Sequence, residues 1–173
     1  DLYVSKKNND SAVVFYQKAA SLEKDSSELS KYYKKLANIF KDEKKYADEA
    51  YWFEKYFTID SNATNVDLFN WGIAHYMNGA YQKSDSVFAV YTEKYPTQDF
   101  GYYWRARSSA AIDTAMEQGI AVPHYAKVIE IDSVDTTNAT NRKHLIEAYG
   151  YLAAYKANHD KDYEIAIDYF EKL

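Results

Sequence analysis

The sequence has 173 residues, a formal net charge of −5, 47% apolar and 27% charged residues, the balance of an ordinary folded chain and not of a disordered one. It carries 19 Tyr but only 5 Gly, 2 Pro and no Cys, which excludes disulfides and thiolate metal sites and points to long helices instead of many short strands. The acidic balance argues against a nucleic-acid binder, which needs a basic face for phosphates, and no apolar run reaches the roughly 18 residues that would span a membrane.

From the N-terminus, Ala12-x-x-x-Tyr16-x-x-Ala19 predicts the second helix of a hairpin whose first helix is mostly missing. Asp25-Ser26-Ser27-Glu28 is a capping-box pattern ahead of a helix over 29–40. That helix reads Tyr33-x-x-Leu36-Ala37-x-x-Phe40 and leads to Tyr46, Glu49-x-x-x-Phe53 and a close at Asp60-Ser61. The next helix, over 66–78, reads Leu68-x-x-Trp71-Gly72-x-x-His75. It is followed by Gly79, Tyr81, Ser84-x-x-x-Phe88 and Pro96, which should stop the helix over 87–95. Tyr102-x-x-Arg105-Ala106 then pairs with Ala121-x-x-x-Tyr125, with about three extra residues between the two helices. The polar run 132–141 is rich in turn formers and predicts an extended loop. Tyr149-x-x-Leu152-Ala153, Tyr163 and Ala166-x-x-x-Phe170 close the chain.

Ala37, Gly72 and Ala106 recur at an interval of about 34 residues, and the interval to Ala153 lengthens to about 47 across the polar run. The pattern resembles the tetratricopeptide repeat, whose signature is W-x₂-L-G-x₂-Y, A-x₃-F and P over 34 residues. In the unit around Gly72 the aromatic and aliphatic slots are swapped, Ser84 replaces Ala and His75 replaces Tyr. In the unit before it Glu49 stands where a small residue is expected, with Ala50 beside it. The resemblance implies an all-α, right-handed solenoid of stacked antiparallel helix hairpins, roughly four repeats, in one repeat domain over 1–173. The units are a partial 1–27, then 28–62, 63–97, 98–134 with its short insertion, and a truncated 140–173. The chain starts at Asp1 without Met and stops at Leu173 inside a helical pattern, which predicts a fragment of a longer protein. Its Lys-, Asn- and Tyr-rich style is similar to repeat proteins of Bacteroides-type bacteria, many of them exported. That implies a bacterial origin and tilts the expected setting towards the periplasm, although the sequence carries no direct compartment signal.

Nothing points to catalysis. There is no nucleophile elbow, phosphate loop or dinucleotide fingerprint, and no cofactor is expected. His75 occupies an interior slot. His144-x-x-Glu147 offers two mixed ligands on one helical face, a pairing common by chance, and Asp160, Asp162 and Glu164 lack the glycine and spacing of a calcium loop, so no metal is expected. Asn62-Ala63-Thr64 and Asn138-Ala139-Thr140 fit the glycosylation acceptor, a pattern too frequent to be informative.

The expected function is therefore a protein-interaction scaffold. The resemblance implies that the first helix of each repeat lines a concave side. The helix over 66–78 is apolar nearly all round, so its second face needs a cover. This predicts an aromatic groove of Phe69, Ile73, Tyr76 and Met77, continued by Phe100, Tyr103 and Arg107, suited to an extended peptide or a helix. The alternative is that C-terminal units cover that face, or that it packs on a missing part of the parent protein. Lys31, Lys34, Asn38 and Lys41, with Asn70, form a basic end for an acidic or carboxylate-bearing segment, although the third-repeat slots of a carboxylate clamp hold Phe100 and Trp104. Two rival readings are a carbohydrate-binding module stacking sugars on Tyr and Trp104, and a structural segment that self-associates.

Overall fold

The computed structural model describes residues 2–60 and 63–173, with side chains from residue 8 onward; Ser61 and Asn62, and with them one turn and one glycosylation pattern read from the sequence, lie outside the described residues. Every regular element among the described residues is helical: α1 (Leu2–Leu22), α2 (Ser26–Asp42), α3 (Tyr46–Ile59), α4 (Asn65–Met77), α5 (Tyr81–Lys94), α6 (Asp99–Ile112), α7 (Val122–Asp132), α8 (Ala139–Tyr155) and α9 (Tyr163–Phe170). They fall into two compact units, Asp1–Ala80 and Tyr81–Leu173. Within each unit every helix packs on the next in sequence.

In the first unit Leu36, Ala37 and Phe40 of α2 are buried against Ala50, Phe53 and Tyr56 of α3, and Leu68, Gly72 and Ala74 of α4 complete the core. Ala37 is fully buried, so it lets α2 and α3 approach closely while Phe53 fills the space beside it. Phe57 stacks on Trp71 at 4.7 Å, carrying the core from α3 to α4. Glu49 and Ala50 are both buried, so the acidic residue does occupy a packing position.

Local signals place the helix ends. Asp25 caps α2 by accepting from the backbone N–H groups of Ser27 and Glu28. Thr64 and Asp67 form a reciprocal capping box on α4. α4 ends with Gly79 at φ +75° and a bond from the Ala80 N–H to the His75 carbonyl, the left-handed close that glycine adopts without strain. Lys44 makes the same turn after α2 at φ 56°, where its side chain is strained.

In the second unit Phe88 and Tyr91 of α5, Tyr103 and Ala106 of α6, Tyr125 and Val128 of α7, and Ala148 and Leu152 of α8 form the core. Gly101 sits where α5 comes closest: a Cβ there would lie 2.7 Å from Thr92 Cγ2 and 2.8 Å from Tyr91 Cδ1. The insertion between α6 and α7 is built on Asp113, whose carboxylate accepts from the backbone N–H groups of Glu117, Gln118 and Gly119. The loop after α7 is shorter than the polar run suggests. α7 continues to Asp132, and Asn138 caps α8 by accepting from the backbone of Thr140 and Asn141. α1 is likewise longer than the motif at 12–19 indicates, and α8 closes through a π-helical turn at Lys156–Asp160.

Two outcomes are expected. Gly101→Ala should lower unfolding free energy in urea by roughly 1–2 kcal/mol, because overpacking against Thr92 exceeds the gain in helix propensity. Burial pushes the Glu49 carboxyl up from 4.5 to about 7, against the opposing charge of Lys41. Because its folded pKa exceeds the unfolded value, its stabilising contribution is complete below about pH 4.5 and is lost as pH rises through about 7. Glu49→Gln should therefore unfold later than the parent at pH 8, by roughly 1–3 kcal/mol, and match it below pH 5.

Candidate functional site

On the first unit, α2 and α4 present the polar residues expected at the basic end. Lys41 Nζ donates to Asn70 Oδ1 at 2.9 Å, so the polar faces of the two helices adjoin. Lys34 Nζ lies 2.8 Å from Asp67 Oδ2 and is thereby tied to a buried carboxylate. Asp67 is buried, and the same oxygen accepts from Thr64 N and Oγ1 and from the Tyr56 hydroxyl. Burial opposes ionisation of Asp67, but its bonds to Lys34 and Thr64 outweigh burial and hold its carboxyl below the usual range. Burial and the neighbouring Asp67 charge push the Tyr56 hydroxyl up. Lys31 is exposed and pairs only with Glu28 of its own helix, and Asn38 and Lys41 are exposed. Along α4, Phe69, Ile73 and Tyr76 are half-buried and Met77 is 50% exposed.

On the second unit, Phe100 remains 39% exposed, with its ring edge-on to His144 at 5.8 Å. Tyr103 is buried; its hydroxyl donates to Glu147 Oε2 at 2.6 Å, while the Tyr125 hydroxyl donates to Glu147 Oε1 at 2.9 Å. Arg107 Nε reaches Glu147 Oε1 at 3.2 Å, and its guanidinium lies over Trp104 at 4.8 Å. Burial and the Glu147 charge push the Tyr125 hydroxyl up. On α6, then, Tyr103 is buried and Arg107 stays about one-third exposed, and α8 supplies His144 and Glu147 to them. Trp104 is stacked on Phe88 at 6.2 Å, and with Arg107 over its ring it does not offer the bare face that sugar stacking needs.

His144 turns to residues other than Glu147. His144 Nδ1 is 2.8 Å from Asp99 Oδ2 and 3.4 Å from Asp132 Oδ2, and its ring stacks on Tyr103 at 3.8 Å. Burial opposes protonation of His144, but the neighbouring carboxylates of Asp132 and Asp99 outweigh it and hold its pKa up to about 9. Burial pushes the Asp132 carboxyl up. Asp67, Asp99, Asp113 and Asp132 stand at or just beyond helix ends. Only the fold turns them inward.

Among the described residues no helix is long and apolar enough to cross a membrane. Lys34→Ala should lower stability by roughly 1–2 kcal/mol, since it leaves buried Asp67 without its cation, whereas Lys31→Ala should leave the melting point unchanged. Thermal denaturation of the two variants checks this contrast.

Neither a family model nor a curated protein sequence matches the chain. Solved structures do. The C-terminal part of a TPR repeat-containing protein from Cytophaga hutchinsonii superposes with a TM-score of 0.74 at 31% identity, over 96% of this chain. This chain spans 63% of the length of that structure. MamA gives a TM-score of 0.68 at 19% identity, covering 99% of this chain and 90% of its own. YrrB, described as a TPR protein with an unusual peptide-binding site, gives 0.68 at 17% identity, covering 99% and 79%.

Proposed function

We propose that this chain, which carries the tetratricopeptide-repeat fold, is a protein-interaction scaffold that binds an extended peptide or a helix along its first helices. In this reading the repeat units are 28–62, 63–97, 98–134 and 140–173, each contributing one first helix. The observation that carries the proposal is the adjoining of α2 and α4 through Lys41 and Asn70. It sets a basic strip beside the half-buried Phe69, Ile73 and Tyr76 and the exposed Met77 of α4. Basic groups with adaptable apolar side chains beside them suit a segment that carries both acidic and apolar residues. Lys34 belongs to this strip by position but acts chiefly on Asp67, so Lys31 and Lys41 are the cations that a partner meets. Phe100 offers a separate contact on α6. A peptide-binding site is described for YrrB, whose fold this chain shares.

The test is fluorescence anisotropy with a library of labelled peptides of graded acidity, using the parent, Lys31→Glu/Lys41→Glu and Met77→Asp. Both variants alter exposed side chains, so their circular dichroism should match the parent, and binding is measured well below the melting point of each. Acidic peptides should bind the parent in a salt-dependent manner, and each variant should weaken binding by roughly tenfold or more. Equal affinity for all three proteins would remove this face as the binding site. Weaker sedimentation of a dimer in Met77→Asp than in the parent would favour self-association instead.

A further inference from the structure

The second unit buries two carboxylates and one imidazole that the binding proposal does not use. Asp99 lies in the first turn of α6, Asp132 is the last residue of α7, and His144 sits on α8. The side chains of Asp132 and His144 are 2% and 7% exposed, and that of Asp99 is 14% exposed, so the cluster meets solvent only along its Asp99 edge. The ligating atoms of all three residues lie within 4.8 Å of one another.

Three features set this cluster apart from a finished ion pair. Asp132 Oδ2 is buried and has no hydrogen-bond partner, although it faces His144 Nδ1 at 3.4 Å, because that nitrogen is already bonded to Asp99. A buried acceptor left in this state costs about 1–3 kcal/mol. Asp132 also stands at the C-terminal end of its helix, where the unsatisfied carbonyls disfavour negative charge. Finally, two carboxylates against one imidazolium leave a negative charge uncompensated in a nearly dry site.

We infer that Asp99, Asp132 and His144 form a binding site for a divalent transition ion of the zinc class, which ties α6, α7 and α8 together. The donor set selects the class: one imidazole nitrogen with two carboxylate oxygens suits zinc and its neighbours, whereas calcium and magnesium favour oxygen alone. The two spacings to the imidazole are close to what is needed, and the two carboxylates lie within 4.8 Å of each other. Bonds of about 2.0–2.2 Å in a tetrahedron hold ligand atoms about 3.3–3.5 Å apart. Asp132 to His144 already matches at 3.4 Å, and Asp99 has to open from 2.8 Å by about half an ångström. On binding, His144 gives its Nδ1 proton to solvent and presents a lone pair, and the site passes from one net negative charge to neutral. Tyr103, stacked on the imidazole at 3.8 Å, fixes the plane of that ligand. Water supplies the fourth position from the Asp99 edge.

The experiment uses the whole chain, stripped with chelator, dialysed and titrated with Zn²⁺ by calorimetry, beside His144→Asn, Asp132→Asn and His159→Asn. His159 is exposed and hydrogen-bonded to Asp160, so it marks where an adventitious ion would sit. The parent should bind one Zn²⁺ per chain and melt several degrees higher with it. His144→Asn and Asp132→Asn should weaken binding about 100-fold, and His159→Asn should bind as the parent does. No saturable binding, or binding lost only in His159→Asn, would overturn the inference. If the buried variants fail to fold, the imidazole ¹⁵N resonances of the parent decide. Zn²⁺ should shift those of His144, and a shift confined to His159, or none, would also overturn it.

Discussion

A helical hairpin has an apolar face on each side and nothing of its own to cover them, so neighbouring helices must come close. Close approach depends on what stands at the crossing. Here the crossings are held by side chains that take up almost no room: Ala37 and Gly72 in the first unit, Gly101, Ala106 and Ala148 in the second, all buried. Large rings such as Phe53, Phe88 and Tyr125 then fill the space that the small residues leave between backbones. Gly101 shows how little tolerance remains, since a single added carbon would meet Thr92 at 2.7 Å.

Apolar packing alone does not fix helix register, because a repeat pattern offers similar contacts one turn away. The polar groups buried between helices are more selective. Asp67 binds Lys34 of α2, Tyr56 of α3 and Thr64 ahead of α4 through one oxygen. Glu147 accepts from Tyr103 of α6 and Tyr125 of α7. Each acid joins three helices, and a slip of one turn would break these bonds and, at Asp67, leave a buried charge unpaired. The cluster of Asp99, Asp132 and His144 follows the same plan but leaves one oxygen unsatisfied, which is the basis of the proposed ion site.

The same polar groups bear on function. A lysine that ends on a buried carboxylate, as Lys34 does, holds the scaffold together, whereas Lys31 and Lys41 remain exposed. On α6 the aromatic and cationic residues that suggest a groove are engaged by α8, so aromatic content by itself is a poor guide to open binding surface. Exposure separates the two roles, and exposure is set by the neighbour helix.

The sequence by itself determined the helical class, the period of about 34 residues, the crossing positions Ala37, Gly72 and Ala106, and the capped start of α2 at Asp25. These are local or periodic features, fixed by propensity, spacing and capping within a few turns of chain. Only the tertiary structure decided that His144 turns to Asp99 and Asp132 and not to Glu147, that Lys34 is drawn to Asp67, and that Asp113 organises the insertion after α6. Each of those pairings joins residues whose helix positions look solvent-facing or terminal in isolation. Their partners arrive from helices packed alongside or from a folded-back loop, and no periodicity in a single strand of sequence carries that information.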